Sequence, residues 1–463
     1  MFPNPQDALP LPPRPSLERY RKLAKDLVKA CKSAGEARPE ADETDPFYPW
    51  AEEWIDALVR LAGIAFEPQM PVRPDLQIDR WIDQVTEFAR RQLKSSAAGA
   101  RICSLSDAQF VIARSHGFES WPKFVRALEA LERAGSSDAK FEAAADAIVS
   151  GDIATLKRLL TEAPELIHAR SMREHGASLL HYVAANGVEG YRQKTPKNVV
   201  EIAELLLRTG AEANTAANVY GGGCTTLGLV ATSGHPEHAG VQQELLRLLL
   251  EHGAAIEGSL VRACLHNGRG QAAEFLAGVL IDRGERLGLV EAAGAGKLEL
   301  VEGLVVEDDE VWISTSPGEL RDGFLFGCQF GRDEVVEFLI AAGMPVGVPD
   351  GRGQTGLHHA VIGGQVETVK LLLRHNPPLE AVNAYGGTPL GQALWSAAHG
   401  GDAEASIAIL EALTAAGAKL PERHVPVNPK IDTWLEEHGS HAEPSWYWHG
   451  EKPRGKRREN SSN

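Results

Sequence analysis

Hydrophobic residues near the start of the chain recur every three to four positions, which is the spacing of one face of an α-helix. The first stripe follows Ser16, a residue type that caps helices, and consists of Leu17, Tyr20, Leu23, Leu27 and Cys31. Similar stripes surround Trp50 and Trp81, and Ser106 and Ser120 each open a shorter predicted helix. The pattern therefore predicts several helices whose apolar faces need partners.

These helices form one predicted module over residues 16–134. The segment ahead of them, residues 1–15, is broken by prolines, and we expect it to be flexible. Residues 135–137, with one glycine and two serines, form the expected joint to the rest of the chain.

From Asp138 onward the sequence repeats itself. A glycine ends each run of small apolar residues, and successive glycines are 36, 47, 34, 28, 35 and 33 residues apart. These glycines are Gly151, Gly187, Gly234, Gly268, Gly296, Gly331 and Gly364. A leucine-rich stretch follows each glycine, so each unit reads as helix, tight turn, helix and loop. Because one such pair cannot cover its own apolar faces, the pattern predicts a stacked solenoid with a continuous core.

One unit has a motif of known type. Its residues Gly353, Thr355, Leu357, His358, Ala360 and Gly364 fit the pattern G-x-T-P-L-H-x-A-A-x-x-G. The unit resembles the ankyrin repeat, and so do the segments that begin at Gly176, Gly223 and Gly386. The resemblance implies an all-α ankyrin-repeat solenoid, with the threonine as helix cap, the leucine in the core, and His181 and His358 in structural roles.

About eight repeats are predicted over residues 138–422, and the units ending at Gly151, Gly268, Gly296 and Gly331 are degenerate. Residues 423–439 are predicted to form a capping helix, and residues 440–463 a flexible tail. The stretch DAQFVIARSHGFESWPKF is similar to a helical module that precedes ankyrin repeats in many bacterial proteins. The resemblance thus implies a bacterial, non-catalytic scaffold that binds a protein partner, since a fold alone does not name a ligand.

Composition narrows the possible functions. The formal net charge of -16 argues against nucleic acid as a partner, because phosphate binding needs clustered Lys and Arg. There is no run of eighteen apolar residues, so no membrane span is expected. The five cysteines are far apart and odd in number, and we expect them to be reduced core thiols of a cytoplasmic protein. We expect no cofactor and no metal, and the oligomeric state stays open.

The resemblance also assigns partner-binding residues. In ankyrin arrays, an exposed position of each first helix and the tips of the connecting hairpins line a groove. On the helices these residues are Tyr182, Phe326, His359 and Gln392; at the tips they are Tyr220, Arg321, Arg352, Gln354 and Tyr385. Aromatic anchors often dominate binding energy. The alternative interpretation is that each residue simply packs along the ridge of the array.

Two neighbouring repeats have longer connections, after Gly187 and after Gly234, and long loops in compact arrays are often functional. The polar residues of these loops suggest a second binding patch: Tyr191, Arg192, Gln193, His235, His238 and Gln242. The alternative is that both loops are inert surface loops.

Other motifs are weaker. Gly351, Gly353 and Gly356 spell G-x-G-x-x-G, but no buried strand precedes them, as nucleotide binding would require. His235 and His238 flank Glu237 without a third metal ligand nearby in sequence. The alternative function is an enzyme or effector whose activity lies in the N-terminal module, with the repeats used for targeting; His116 is the one histidine there.

Overall fold

The computed structural model describes residues 4–36, 47–62, 74–93, 103–133, 135–307, 310–311 and 316–442. These residues are mostly helical, which confirms the predicted all-α class. The chain divides into two compact units, Met1–Ala272 and Ala273–Asn463. In the described part, no helix is both long enough and apolar enough to cross a membrane. Most of the predicted flexible tail, from residue 443 onward, lies outside the described residues.

The first unit begins with five helices: α1 (Leu17–Glu36), α2 (Phe47–Ala62), α3 (Pro74–Gln92), α4 (Leu105–Ser115) and α5 (Trp121–Glu132). Their apolar faces meet in one core, in which Trp81, Phe118 and Phe124 are fully buried. Ser104, not Ser106, caps α4, because its hydroxyl accepts a hydrogen bond from the Asp107 N–H. The helices thus agree with the predicted stripes.

The expectation that all five cysteines are free is wrong. Cys31 in α1 and Cys103, just before α4, form a disulfide across 72 residues of sequence. Cys224, Cys264 and Cys328 are free, and the last two are buried. Sequence spacing gave no sign of the pair, because the packing of α1 against α4 is what brings the two thiols together. The cytoplasmic expectation loses its basis, since disulfides are typical of oxidising compartments.

The expected flexibility of the N-terminal segment is also wrong for residues 4–9. Pro5–Asp7 form a 3₁₀ helix, and the side chains of Asp7 and Leu9 are buried. The Leu9 N–H donates to the Ser115 carbonyl at 2.7 Å. Prolines restrict the backbone in advance, so ordering such a segment costs little conformational entropy.

The rest of the first unit contains α6 (Ser137–Ser150), α7 (Ile153–Glu162), α8 (Val199–Thr209), α9 (Thr226–Thr232), α10 (Gly234–His238), α11 (Gln242–Glu251) and α12 (Leu260–His266). Three more 3₁₀ helices lie at Pro164–His168, Leu179–Ala184 and Gly190–Arg192. Leu179–Ala184 takes the place of a first helix and packs between α6 and α9. Strands β1 (Ala216–Ala217) and β2 (Cys224–Thr225) pair as an antiparallel hairpin with Tyr220 near its tip.

The second unit contains most of α13 (Gly270–Asp282), followed by α14 (Leu289–Gly294), α15 (Leu298–Val305), α16 (Pro317–Gln329), α17 (Asp333–Ala341), α18 (Gly356–Ile362), α19 (Val366–Leu373), α20 (Pro389–Ala398), α21 (Ala403–Ala415) and α22 (Pro429–Glu437). Short strands pair as β3 (Val306–Glu307) with β4 (Glu310–Val311), antiparallel, and β5 (Arg423–His424) with β6 (His441–Ala442), parallel. From α14 to α21 the helices form successive pairs, and the first helices stack in the order α14, α16, α18 and α20.

Close backbone approach fixes the register of this stack. A Cβ atom on Gly363, at the end of α18, would lie 1.8 Å from the carbonyl oxygen of Gln329 in α16. The predicted capping helix is present as α22, with Asn428 as its cap and Ile431, Trp434 and Leu435 buried against the stack. Apolar side chains from both helices of each pair fill one core.

Candidate partner-binding surface

The first helices α18 and α20 present matching side chains on one face. His359 and Ile362 lie three residues apart in α18, and Gln392 and Trp395 lie three apart in α20, so each pair shares a side of its helix. Ile362 is 37% exposed and Trp395 is 58% exposed. The face that they form is open to a partner.

Local sequence fixes where these helices begin and how they meet the next loop. Thr355 caps α18, and its hydroxyl lies 3.0 Å from Nδ1 of His358, which also accepts the Thr355 N–H. Nε2 of His358 lies 3.1 Å from the Gly387 carbonyl of the following loop, so this ring links neighbouring repeats. His181 makes the equivalent contacts with Ser178 and Cys224, which confirms the structural role predicted for both histidines.

The loops that enter these helices hold their tips rigidly. The Asp350 carboxylate accepts the N–H groups of Arg352 and Gln354, both at 2.8 Å. In the next loop, Oδ1 of Asn383 accepts hydrogen bonds from the N–H groups of Tyr385 and Gly387, both at 3.0 Å. The Ala384 N–H donates to the Arg352 carbonyl at 2.7 Å and joins the two tips. Arg352 is therefore exposed on a fixed loop, and Tyr385 is 72% exposed.

Asp350 also contacts the helix face, because its Oδ2 lies 3.5 Å from Nε2 of His359. Burial by itself would raise the pKa of the Asp350 carboxyl, but the hydrogen bonds from His359, Gln354 and Arg352 lower it to about 2. The carboxylate stays charged at neutral pH and orients both the loop and the imidazole. Nδ1 of His359 lies 3.1 Å from Oε1 of Gln329, in the repeat before.

A comparison with protein families matches residues 324–421 to a family described as ankyrin repeats, in three copies. These residues are ankyrin repeats. The match spans α16 to α21, the part of the chain whose paired helices, threonine cap and bridging histidine have been described above. A comparison with curated proteins finds no match to the chain.

The assigned ankyrin residues differ in accessibility. Gln354 and Gln392 are partly exposed, and the Gln392 amide donates to the Ser396 hydroxyl at 3.3 Å. Arg321 lies in α16 and not at a free tip. It is partly buried and pairs with its neighbour Asp322. Phe326 is only 8% exposed and stacks on Phe330. The prediction that Phe326 is an exposed anchor is wrong.

The same prediction is wrong for Tyr182, which is fully buried. In its repeat the first helix is wound as a 3₁₀ helix, with three residues per turn in place of 3.6. All six residues of this segment are buried, so it presents no open face on which Tyr182 could lie. Its ring packs against Phe141 and His175. Burial raises the pKa of its hydroxyl well above the ordinary value.

The open second patch predicted from the long loops is wrong in its main residues. Arg192 is buried, and its guanidinium lies 2.8 Å from carboxylate oxygens of Glu142 and Asp146. The partly buried Tyr191 accepts a hydrogen bond from Arg173 at 3.0 Å. The sequence could not show this, because α6 supplies both acids from about fifty residues earlier.

Arg173, Glu189 and Arg192 form the centre of this cluster. Arg173 pairs with Glu189 and donates to the His116 carbonyl at 2.6 Å, which joins the repeats to the N-terminal helices. Burial alone would raise the pKa of Glu189, but the two guanidinium groups hold it below its ordinary value. Breaking such a pair is costly, since it leaves a buried charge without compensation. The loop after Gly187 is thus an internal joint of the first unit.

The other residues of the predicted second patch differ in their exposure. Gln242 is buried, and its amide donates to the carbonyls of Val230 and Ser233 at 2.9 and 3.0 Å, which satisfies the end of α9. Gln193 donates to the Val188 carbonyl at 2.8 Å. His238 is exposed, while His235 is partly buried, and burial lowers its pKa. Glu237 pairs with Arg269. Among the described residues, no group of three His, Cys, Asp or Glu could hold a metal ion.

Among the large apolar side chains of the described helices, sequence reasoning missed the most exposed one, Trp395. It also missed Ile362 and Val382, which are likewise exposed. A signal was present, because Trp395 lies three residues after Gln392 and therefore shares its helix face. In the G-x-G-x-x-G pattern, Gly351 and Gly353 lie in the loop before α18, Gly353 with φ +76, and Gly356 is the first residue of α18.

The alternative function places an enzyme or effector activity in the N-terminal helices. His116 is fully buried among Tyr20, Trp54 and Phe124, and burial lowers its pKa to about 3. Between α1 and α2, a cavity of about 240 Å³ is lined mainly by apolar side chains, Trp50 and Leu58 among them. His116 is therefore a core residue that stays neutral at physiological pH.

Proposed function

We propose that this chain is a non-catalytic interaction protein that binds a partner protein through its second unit. The binding surface, which we term the front surface, consists of Arg352, His359, Ile362, Tyr385, Gln392 and Trp395. The observation that supports the proposal most is the exposure of Trp395 and Tyr385 on rigid elements of matched ankyrin repeats. Ankyrin repeats generally mediate protein–protein interaction.

The residue types of the front surface favour binding. Trp, Tyr and Arg are enriched among the few residues that dominate binding free energy in protein interfaces. Covering the exposed part of Trp395 contributes about 3 kcal/mol, at about 25 cal/mol per Å² for a side chain of this size. The loops are already held by Asp350 and Asn383, so little entropy is lost when a partner binds.

Charge favours a basic partner. Residues 273–442 contain 25 acidic and 11 basic residues, so most of the excess negative charge of the chain lies in this unit. A potential of this sign speeds the approach of a positively charged partner and disfavours nucleic acid. The neutral, buried His116 gives no support to catalysis in the N-terminal helices.

The proposal is tested by affinity capture from a lysate of the source cells. The wild type is compared with the double variant Tyr385→Ala, Trp395→Ala, and with Leu300→Ala, which changes an exposed apolar residue of α15 outside the front surface. We expect at least one protein to be retained by the wild type and by Leu300→Ala but lost from the double variant. Equal retention of every captured protein by all three would contradict the proposal.

A further inference from the structure

The first unit contains a second site, which is filled by the chain itself. Residues 4–9, which we term the strap, lie across α3, the Gly190–Arg192 turn and the β1–β2 hairpin. We propose that the strap is a displaceable internal ligand and that its site binds partner segments of the same chemistry. Such a segment is a proline-initiated turn that presents an amide, a carboxylate and then a leucine. This inference concerns other repeats than the front surface and is independent of it.

Three side chains anchor the strap. The buried Asp7 carboxylate lies 3.2 Å from Nη2 of Arg80 in α3. Oε1 of Gln6 lies 2.9 Å from the Tyr220 hydroxyl at the hairpin. Leu9 enters the core of the N-terminal helices. The three contacts recognise a carboxylate, an amide and an apolar group, in a fixed order along the strap.

The backbone of the strap is recognised as well. The Leu9 N–H donates to the Ser115 carbonyl at 2.7 Å, and the Leu9 carbonyl lies 3.1 Å from Nδ1 of His116. At Gly190 a Cβ atom would lie 2.5 Å from the carbonyl oxygen of Gln6. Gly190 does not have a positive φ, so its backbone does not require glycine. The missing side chain makes room for the strap.

Part of the site lies at the protein surface. The Arg80 side chain remains 56% exposed and Tyr220 remains 57% exposed with the strap in place. Tyr220 has φ +51, a left-handed conformation that is uncommon for a residue with a bulky side chain. Such strain is found where a side chain is held for a function. Displacing the strap uncovers the buried side chains of Asp7, Ala8 and Leu9, so a competing segment must supply the same groups.

The test weakens the strap and supplies it as a separate peptide. In the variant Asp7→Ala, Leu9→Ala the residues that contact the strap keep their identity, and a labelled peptide with the sequence of residues 2–12, FPNPQDALPLP, is the probe. We expect saturable binding that is about tenfold tighter than to the wild type, in which the strap competes. Adding Gly190→Ala should weaken peptide binding about tenfold, because the new methyl group occupies the place of the Gln6 carbonyl.

Gly258→Ala is the matched control, because Gly258 lacks a positive φ and its added Cβ would meet no atom within 4 Å. Absence of saturable binding, or equal binding to all variants, would overturn the proposal. A second measurement does not depend on the strap variant. Gly190→Ala alone should speed hydrogen exchange at the Leu9 amide about tenfold, while Gly258→Ala should not. An unchanged rate in Gly190→Ala would also overturn the proposal.

Discussion

Loss of the Cys31–Cys103 disulfide should destabilise the N-terminal helices by about 4 kcal/mol. The magnitude follows from the 72 residues between the cysteines, because a cross-link of that span removes this much chain entropy from the unfolded state. We expect the opening equilibrium of α1 and α4 to rise about a thousandfold, at about 1.4 kcal/mol for each factor of ten. The variant Cys31→Ser, Cys103→Ser and reduction of the wild type should have the same effect.

Hydrogen exchange with mass spectrometry measures this locally, which is necessary because a chain of two units has no single unfolding free energy. Peptides from α1 and α4 should exchange faster in the double serine variant, and those from α16 to α21 should not change. Cys264→Ser is the control, since it removes a free buried thiol. The reasoning fails if reductant leaves exchange in α1 and α4 unaltered, or if thiol titration of the protein denatured without reductant counts five free thiols.

Two further predictions concern buried charge. Arg192→Ala should destabilise the first unit by about 3 to 5 kcal/mol, because Glu142 and Glu189 lose a buried partner. Hydrogen exchange in peptides from α6 checks this, and a loss below about 1 kcal/mol would show that the cluster matters little. His116 has a folded-state pKa of about 3, below its unfolded value of 6.5, so its stabilising effect is complete above pH 6.5 and is lost as the pH falls toward 3. Between pH 6.5 and 4.5 this costs roughly 2 to 3 kcal/mol. Stability of His116→Phe should depend less on pH over this range, and an identical dependence would show that another group is responsible.

The repeat geometry could be predicted from sequence because it depends on local signals. Thr355, His358 and Leu357 act within one turn of helix or on the next loop, and Gly364 adopts the positive φ expected of it. The family match over residues 324–421 covers the part of the chain in which the ankyrin motif is best preserved.

The candidate site was less predictable, because it depends on contacts between distant segments. Tyr182 is buried together with the rest of its 3₁₀ segment, which packs between α6 and α9, and the ankyrin pattern does not encode this packing. Arginine is usually a surface residue, and only the approach of α6 gives Arg192 the carboxylates of Glu142 and Asp146 as partners. Periodicity could have found Trp395, since its position follows from that of Gln392.

The strap also has a consequence for biosynthesis. Tyr220 is 214 residues further along the chain than Gln6, so the hydroxyl that meets the strap is synthesised long after it. At 5 to 20 residues per second, roughly 10 to 40 s separate the two residues on the ribosome. During that interval the strap can already contact Arg80 and Ser115, which are synthesised earlier, but not the hairpin.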